Sequence, residues 1–355
     1  MAVGGGAPGP RGRCGGGALR RAAARPRRGG TRAVVTDRLS LDDIERAGAA
    51  IRSYLPPTPL RRSFALRRAG DAYLKLECWQ PTGSFKVRGA THVLACLSPE
   101  ERRRGVVAAS AGNHALGVAF AVQVLGGQTD ATLFVPETAP RAKVEKLKGF
   151  PVTVHEEGAT YDDAHALALA HGERTGATYV HAFDDPRTAA GQGTVGLEIL
   201  DDLPDVGAIL VPVGGGGLIS GVAAAVKARA PTVRIVAVQP EASPALPESI
   251  RQGRPLLEYP AGPTLADGLA GGIGRIVFDH RDLIDEVLLV SEAEIEDAIV
   301  ALVADDQVVA EASGAVGVAA LRSARWRGDG RPVVAVVTGG NIDARVLGRL
   351  LAARA

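Results

Sequence analysis

Short apolar runs alternate with helical patterns along most of the chain, and this alternation restricts the fold more than any other feature. Several runs are apolar at nearly every residue, as strands covered on both faces must be. Helical stretches such as 163–175 and 292–306 lie between them. The pattern therefore predicts an α/β protein with parallel sheets and crossover helices. The predicted strands are residues 72–77, 105–110, 131–136, 152–156, 208–213, 234–240 and 332–338.

The chain length and the charge distribution set further limits. The 355 residues favour two domains rather than one. The net charge is only +2, so composition supports neither nucleic acid nor an acidic membrane as a partner. Residues 1–36 contain no acidic residue and many arginines among Gly, Ala and Pro, which predicts a disordered tail, either real or from an over-extended start. No apolar stretch follows Arg20 and Arg21, which excludes a twin-arginine signal.

Cysteine and histidine patterns exclude several classes of site. Cys14, Cys78 and Cys96 form no C-x-x-C pair, and their odd number gives no disulfide framework. This usage is typical of a reducing compartment, so we predict a cytoplasmic protein. The apolar runs are too short to span a bilayer. Neither H-E-x-x-H nor a Cys/His cluster occurs, so we expect no metal site.

One lysine has an unusual setting. In the stretch PTGSFKVRGA, residues 81–90, Lys86 follows a Gly-Ser-Phe turn and leads into a predicted helix. Most lysines are surface charges, and this is one interpretation of Lys86. The other is that its amine binds a ligand covalently.

A first glycine loop follows the predicted strand at 105–110 and precedes an Ala-rich helix. The free N–H groups at such a helix start, together with the helix dipole, suit a carboxylate or a phosphate. A plain N-cap by Ser110 or Asn113 is the alternative. The loop consists of Ser110, Ala111, Gly112, Asn113 and His114.

A second loop holds four consecutive glycines, Gly214 to Gly217, after an apolar strand. Each glycine costs roughly 1 kcal/mol in backbone entropy relative to alanine, which a simple turn does not require. A phosphate-binding loop does require glycines, because its backbone amides must approach the anion without intervening Cβ atoms. The spacing matches neither G-x-G-x-x-G nor the P-loop pattern, so a monophosphate fits better than a nucleotide. A simple strand-to-helix turn remains the alternative.

A third loop, Thr338-Gly339-Gly340-Asn341, follows the last predicted strand. The Thr338 hydroxyl can donate or accept one neutral hydrogen bond at the strand's carboxyl end. The alternative is a helix cap, with the next helix starting at Asp343.

Together these features resemble one family. The lysine after the Gly-Ser-Phe turn, the SAGNH loop, the tetraglycine loop and the TGGN loop occur in the order of the fold-type II pyridoxal-phosphate enzymes. The likeness is to the threonine/serine dehydratase (threonine ammonia-lyase) branch, which also holds serine racemases. It runs from about Leu55 to Leu347 and includes residues 183–200 and 264–269.

The resemblance implies a fold and a domain organisation. We expect two doubly wound open-sheet domains, like the β subunit of tryptophan synthase, with the cofactor in the cleft between them. A small domain would span residues 105–179. A large pyridoxal-phosphate-binding domain would comprise residues 37–104 and 180–355.

The resemblance also implies roles for the loops toward the cofactor, pyridoxal 5'-phosphate. Lys86 would hold it covalently, Asn113 would bond its phenolic oxygen, and Thr338 would face its ring nitrogen. Phe85 would also bind the cofactor, and together with Phe183 and the loop at 264–268 it would form the pocket wall. The amides that would hold its phosphate are those of Gly214, Gly215, Gly216, Gly217 and Leu218.

The substrate would be an amino acid whose α-carboxylate is held by the first glycine loop. The residues implied are Ser110, Ala111, Gly112, Asn113 and His114.

Some positions depart from the relatives. Val87 follows the lysine where cysteine-synthase-like members resemble S-x-K-D-R, which favours the dehydratase branch. Thr338 stands where dehydratases commonly carry serine, and the hydroxyl is kept. Ala111 replaces the second serine with which racemases move a proton on the opposite face, so we expect little racemisation.

A metal site and a regulatory extension are not expected. Gln239 and Ala245 stand where racemase-like relatives use a glutamate and an aspartate as metal ligands, although Glu241 is close enough to substitute. The chain ends at Ala355, soon after the TGGN helix, so feedback inhibition through a C-terminal extension is not expected.

The resemblance therefore predicts β-elimination and deamination of L-threonine and/or L-serine to 2-oxobutyrate or pyruvate plus ammonia. Alternatives are an ammonia-lyase for another β-substituted amino acid, such as 3-hydroxyaspartate, or a non-catalytic amino-acid-binding relative. We expect a homodimer with no nucleic-acid or membrane partner. The sequence does not choose among the β-hydroxy amino acids.

Overall fold

The computed structural model describes residues 38–110, 112–139 and 141–353. The tail predicted at residues 1–36 and the loop residue Ala111 lie outside this part of the chain. Within the described ranges, no helix combines the length and the apolar character needed to cross a membrane.

The described residues form ten strands in two sheets. The six-stranded sheet has the order β1-β2-β10-β7-β8-β9, and the four-stranded sheet has the order β5-β4-β3-β6. Every pairing is parallel except that of β1 with β2. The strands are β1 Leu60–Arg62, β2 Ala72–Lys75, β3 Val106–Ala109, β4 Ala131–Val135, β5 Thr153–Glu156, β6 Thr178–Tyr179, β7 Ala208–Pro212, β8 Arg234–Pro240, β9 Glu286–Val290 and β10 Val333–Val336.

Helices connect and cover the strands. The helices are α1 Leu41–Ile51, α2 Lys86–Ala95, α3 Pro99–Arg104, α4 Asn113–Val124, α5 Arg141–Lys148, α6 Tyr161–Thr175, α7 Pro186–Asp202, α8 Gly217–Arg229, α9 Ala245–Gln252, α10 Arg275–Asp279, α11 Glu292–Asp306, α12 Ala312–Arg322 and α13 Ala344–Ala352. Short 3₁₀ turns occur at Glu77–Trp79, Asp267–Leu269 and Arg281–Leu283.

The seven predicted strands and both predicted helices are confirmed. Sequence reasoning missed β1, β6 and β9. Strands β1 and β6 have only three and two residues, too few for a periodic pattern to be visible. The antiparallel pairing of β1 with β2 departs from the expected parallel arrangement.

Every strand of the four-stranded sheet lies within the predicted small-domain range, residues 105–179. The six-stranded sheet is built from residues on both sides of that range. The described residues nevertheless form one compact unit, so the division into two domains stays a prediction.

Parallel pairing brings the predicted loops together. Strands β2, β10 and β7 are neighbours, so the segments after their carboxyl ends meet at one edge of the six-stranded sheet. The Phe85 N–H donates to the Thr338 carbonyl at 3.0 Å, and the Gly340 N–H donates to the Gly83 carbonyl at 2.9 Å. These bonds join the turn before α2 to the loop after β10.

A buried ion-pair network anchors the first turn of α2. Arg88, which is 1% exposed, makes paired hydrogen bonds of 2.6–2.8 Å to the carboxylates of Glu77 and Glu198. The fully buried Lys75 amine lies 2.7 Å from Glu198. Two cations thus face two carboxylates two residues away from Lys86, so the start of the helix has little freedom to shift.

Candidate active site

Lys86 is the first residue of α2, and its side chain is partly buried. Its amine donates a hydrogen bond to the Ala182 carbonyl at 3.0 Å and lies 5.2 Å from the centre of the Phe85 ring. Burial lowers the pKa of Lys86 to about 8, although the negative charge of Glu311 opposes the shift. A substantial fraction of the amine is therefore neutral near pH 8, as a nucleophile or a base requires.

Glu311 joins this site and was missed by sequence reasoning. Its carboxylate accepts a hydrogen bond from the Asn113 side chain at 2.7 Å, and its backbone N–H donates to the Gly339 carbonyl at 2.9 Å. The sequence shows only an acidic residue before the Ala-rich helix α12, which is common at helix starts. Only the packing of α12 against the TGGN loop places Glu311 near Lys86.

Asn113 connects two of the predicted loops. Its side-chain oxygen accepts from the Asn341 amide at 2.8 Å, while its amide group donates to Glu311. Asn341 also donates to the Thr82 carbonyl at 2.9 Å. The side chain of Asn113 is thus fixed by neighbouring loops, and its role toward a phenolic oxygen stays a prediction.

Among the described residues, no side chain caps the helix start that follows the first glycine loop. Gly112 is the N-cap of α4, and the Ser110 hydroxyl accepts from the Gly112 N–H at 3.1 Å instead of capping the helix. The alternative in which Ser110 or Asn113 caps α4 is therefore wrong. Ala111 lies outside the described residues, and the role of this loop in holding a carboxylate stays a prediction.

His114 is buried beneath the same loop. Its Nε2–H donates to the Val180 carbonyl at 2.8 Å, while Nδ1 is buried and has no partner among the described residues. Burial, followed by the positive charge of Lys86, lowers the pKa of His114 to about 3. The imidazole is therefore neutral at physiological pH, and Nδ1 can only accept a hydrogen bond.

This shift predicts that acid weakens the fold. Between pH 6.5 and about 3, the unfolded chain binds a proton at His114 that the folded chain excludes. The contribution of His114 to the free energy of unfolding is therefore fully present above pH 6.5 and is lost as the pH falls. The loss is about 1.4 kcal/mol per pH unit. Urea unfolding at pH 7.5 and 5.5 measures it, with His114→Gln as the control that keeps a donor for Val180. Equal losses of stability in both proteins would refute the assignment.

The tetraglycine loop forms the start of α8. Gly216 is the N-cap with a φ of 93°, and no described residue accepts a hydrogen bond from the N–H groups of residues 214–218. A Cβ atom on Gly215 would overlap the Phe183 ring, and one on Gly216 would overlap Val277. Close packing therefore requires glycine at these positions, while the free amides suit an anion.

Two buried hydroxyls lie near Lys86. Thr338 is 4% exposed, and its hydroxyl is 3.5 Å from the Ser313 carbonyl, the outer limit of a hydrogen bond. The Ser84 hydroxyl is fully buried and has no partner among the described residues. Since buried polar groups are normally paired, the free hydroxyl and the free amides of the glycine loop fit a bound polar group.

A cavity of about 330 Å³ adjoins the cluster of Asn113, Glu311 and Asn341. Thr264, Leu265 and Asp267 of the predicted pocket wall line it, whereas Phe85 and Phe183 do not. The volume is at the lower end of the range for small-molecule sites.

Comparison with known proteins identifies the family of the chain and its cofactor. Residues 51–339 match the profile of the pyridoxal-phosphate-dependent enzymes. The chain belongs to this family. Its cofactor is pyridoxal 5'-phosphate, and the free amides of residues 214–218, the hydroxyls of Ser84 and Thr338, and the Lys86 amine are groups suited to holding it.

Three individual relatives show which members of the family the chain is similar to. The chain is 46% identical to an L-threonine ammonia-lyase of Thermotoga maritima, over 88% of this chain and 78% of the relative. The structure is similar to maize serine racemase, with a TM-score of 0.83, 34% identity, and coverage of 89% of this chain and 98% of the racemase. For threonine deaminase isoform 2 of Solanum lycopersicum the TM-score is 0.80 with 34% identity, covering 88% and 89% of the two chains. The fold-type II assignment is thereby confirmed.

Proposed function

We propose that this protein is a threonine/serine ammonia-lyase that converts L-threonine to 2-oxobutyrate, or L-serine to pyruvate, with release of ammonia. The observation that carries the proposal is the Lys86 amine, which is held by the Ala182 carbonyl and is partly neutral near pH 8. The 46% identity with an L-threonine ammonia-lyase supports this substrate class.

The cofactor, when bound, supplies an electron sink that makes the α-proton of an amino acid acidic. Lys86 would hold the cofactor in the resting enzyme and, once released, its neutral amine would take that proton. Burial provides the lowered pKa that this role requires. The hydrogen bond to the Ala182 carbonyl restrains the position of the amine.

Thr338 would affect how strongly the cofactor withdraws electrons from the substrate. A hydroxyl cannot supply the ion pair that an aspartate would give to a ring nitrogen, so the nitrogen would stay largely uncharged. The electron sink is then weaker, which favours prompt loss of a β-substituent. Thr338 is buried, which would keep water from replacing this neutral contact.

The free amides at the starts of α4 and α8 would hold the two anionic groups. The uncapped start of α4 would hold the substrate's α-carboxylate, and the amides of residues 214–218 would hold the phosphate. Each contact would draw on the helix dipole and on N–H groups for which no acceptor occurs among the described residues.

The proposal is tested by incubating the purified protein, loaded with pyridoxal phosphate, with L-threonine, L-serine and, as a control, D-threonine. We expect oxo acid and ammonia in equal amounts from one or both L-amino acids and none from D-threonine. Bound cofactor without oxo acid would move the search to other β-substituted amino acids such as 3-hydroxyaspartate. Failure to bind the cofactor would refute the enzyme assignment and favour an amino-acid-binding relative.

We also propose that the enzyme is a cytoplasmic homodimer without nucleic-acid or membrane partners. The near-neutral net charge gives no case for a nucleic-acid or acidic-membrane partner, and three cysteines without a C-x-x-C pair favour a reducing compartment. The dimer is an expectation from the family resemblance. Light scattering on the eluting protein would measure the oligomeric state, and a mass equal to one 36.6 kDa chain would refute the dimer.

A further inference from the structure

Residues 180–185, which we call the crossing segment, lead from β6 of the four-stranded sheet to α7. The Val180 carbonyl accepts from His114, and the Ala182 carbonyl accepts from Lys86. The Phe183 ring packs against Gly215 of the tetraglycine loop. One short segment therefore contacts three parts of the candidate site.

His181 determines the shape of this segment. Its Nδ1 accepts hydrogen bonds from the backbone N–H groups of Phe183 at 3.2 Å and Asp184 at 2.8 Å. A side chain that accepts from the N–H groups two and three residues ahead closes a turn, as Asn and Asp do in Asx-turns. The ring also packs edge-on against Phe183, with 4.7 Å between the ring centres.

The turn fixes the direction of the carbonyl inside it. Ala182 lies between His181 and the two N–H groups that His181 binds, so its peptide plane cannot rotate without breaking the turn. Asp184 restrains the far end, because its carboxylate accepts from the Ile276 N–H at 2.8 Å. The Ala182 carbonyl is thus held toward the Lys86 amine from both sides.

The direction of this carbonyl matters for proton transfer. A neutral amine that donates one N–H to a carbonyl has its lone pair directed away from that carbonyl, by tetrahedral geometry. The Ala182 carbonyl therefore orients the lone pair as well as the position of Lys86. A misplacement of about 1 Å at a catalytic group can cost about 100-fold in rate.

We propose that His181 is a positioning residue: its Nδ1 closes the turn of the crossing segment so that the Ala182 carbonyl orients the Lys86 amine for proton transfer. This role rests on the proposed function of Lys86. His181 would act through the Ala182 carbonyl, because its Nδ1 accepts from the N–H groups of Phe183 and Asp184.

The experiment compares four variants of the full-length, cofactor-loaded enzyme. His181→Leu removes the acceptor, whereas His181→Asn keeps an oxygen at the position of Nδ1. His181→Gln moves the acceptor one carbon further out, and His171→Leu on α6 is the matched control. Amide hydrogen exchange of Phe183 and Asp184 is measured without substrate, and kcat and KM are measured separately.

We expect faster exchange at both amides in His181→Leu, with kcat lowered by about 10- to 100-fold and KM changed by less than about threefold. His181→Asn and His171→Leu should stay within about threefold of the wild type. A kcat of His181→Leu within that range, or equal losses in the Asn and Leu variants, would overturn the proposal. If His181→Leu does not fold, equal kcat values for His181→Asn and His181→Gln would also overturn the proposal.

The two proposals fail in different ways. If the wild type releases no oxo acid, the proposed function fails, while hydrogen exchange still reports on the turn. If the wild type is active and exchange at Phe183 and Asp184 is unchanged in His181→Leu, only the role of His181 fails.

Discussion

Replacement of Lys86 by alanine should abolish covalent attachment of the cofactor and lower the release of oxo acid by at least about 10²- to 10⁴-fold, the usual contribution of one acid–base group. The variant lacks the amine that donates to Ala182 at 3.0 Å, and no second lysine amine contacts that carbonyl within the described part of the chain. Loss of the visible absorption band of the bound cofactor, measured with oxo-acid release, checks the result.

Lys148→Ala is the matched control for Lys86→Ala. The Lys148 side chain is 47% exposed and pairs with Glu145 and Glu156 on the surface, so its loss should leave both measurements unchanged. A small primary amine added to Lys86→Ala should restore part of the activity if the missing group is a base. Retention of the band and of full activity in Lys86→Ala would contradict the assigned role.

Replacement of Arg88 by methionine should destabilise the protein by about 3–5 kcal/mol, because it leaves the fully buried Glu77 carboxylate without its cation and Glu198 with Lys75 alone. Burial alone would lower the pKa of Arg88, but the two carboxylates more than offset this, so the guanidinium stays charged. Urea unfolding with a constant m-value measures the loss. Cofactor affinity should fall as well, because Arg88 lies only two residues after Lys86 in the first turn of α2.

Arg46→Met is the control for Arg88→Met. Its side chain is 67% exposed and pairs with Asp43, so its replacement should cost less than about 1 kcal/mol. Arg88→Lys should be intermediate, since an ammonium cannot make the paired contacts that a guanidinium makes. A cost for Arg88→Met no larger than that for Arg46→Met would show that the network does not stabilise the start of α2.

The elements that the sequence predicted are each encoded by a short stretch of consecutive residues. Seven of the ten strands in the described residues were predicted because each is a run of apolar residues long enough to show its pattern. The tetraglycine loop was identified because four glycines are costly unless the backbone must be approached closely. In the structure, side chains of the protein itself come this close: a Cβ atom on Gly215 would overlap Phe183, and one on Gly216 would overlap Val277.

The sequence by itself determined the α/β alternation, the lysine at a helix start and the three loops after strands, because each is encoded within about ten consecutive residues. Tertiary structure alone decided the places of Glu311, His181 and the Ala182 carbonyl. Glu311 reaches the site through Asn113, 198 positions away, and the Ala182 carbonyl reaches Lys86 across 96 positions. No local pattern marks such contacts, because they depend on how the strands and helices pack. A backbone carbonyl, moreover, has no residue type by which a sequence could reveal it.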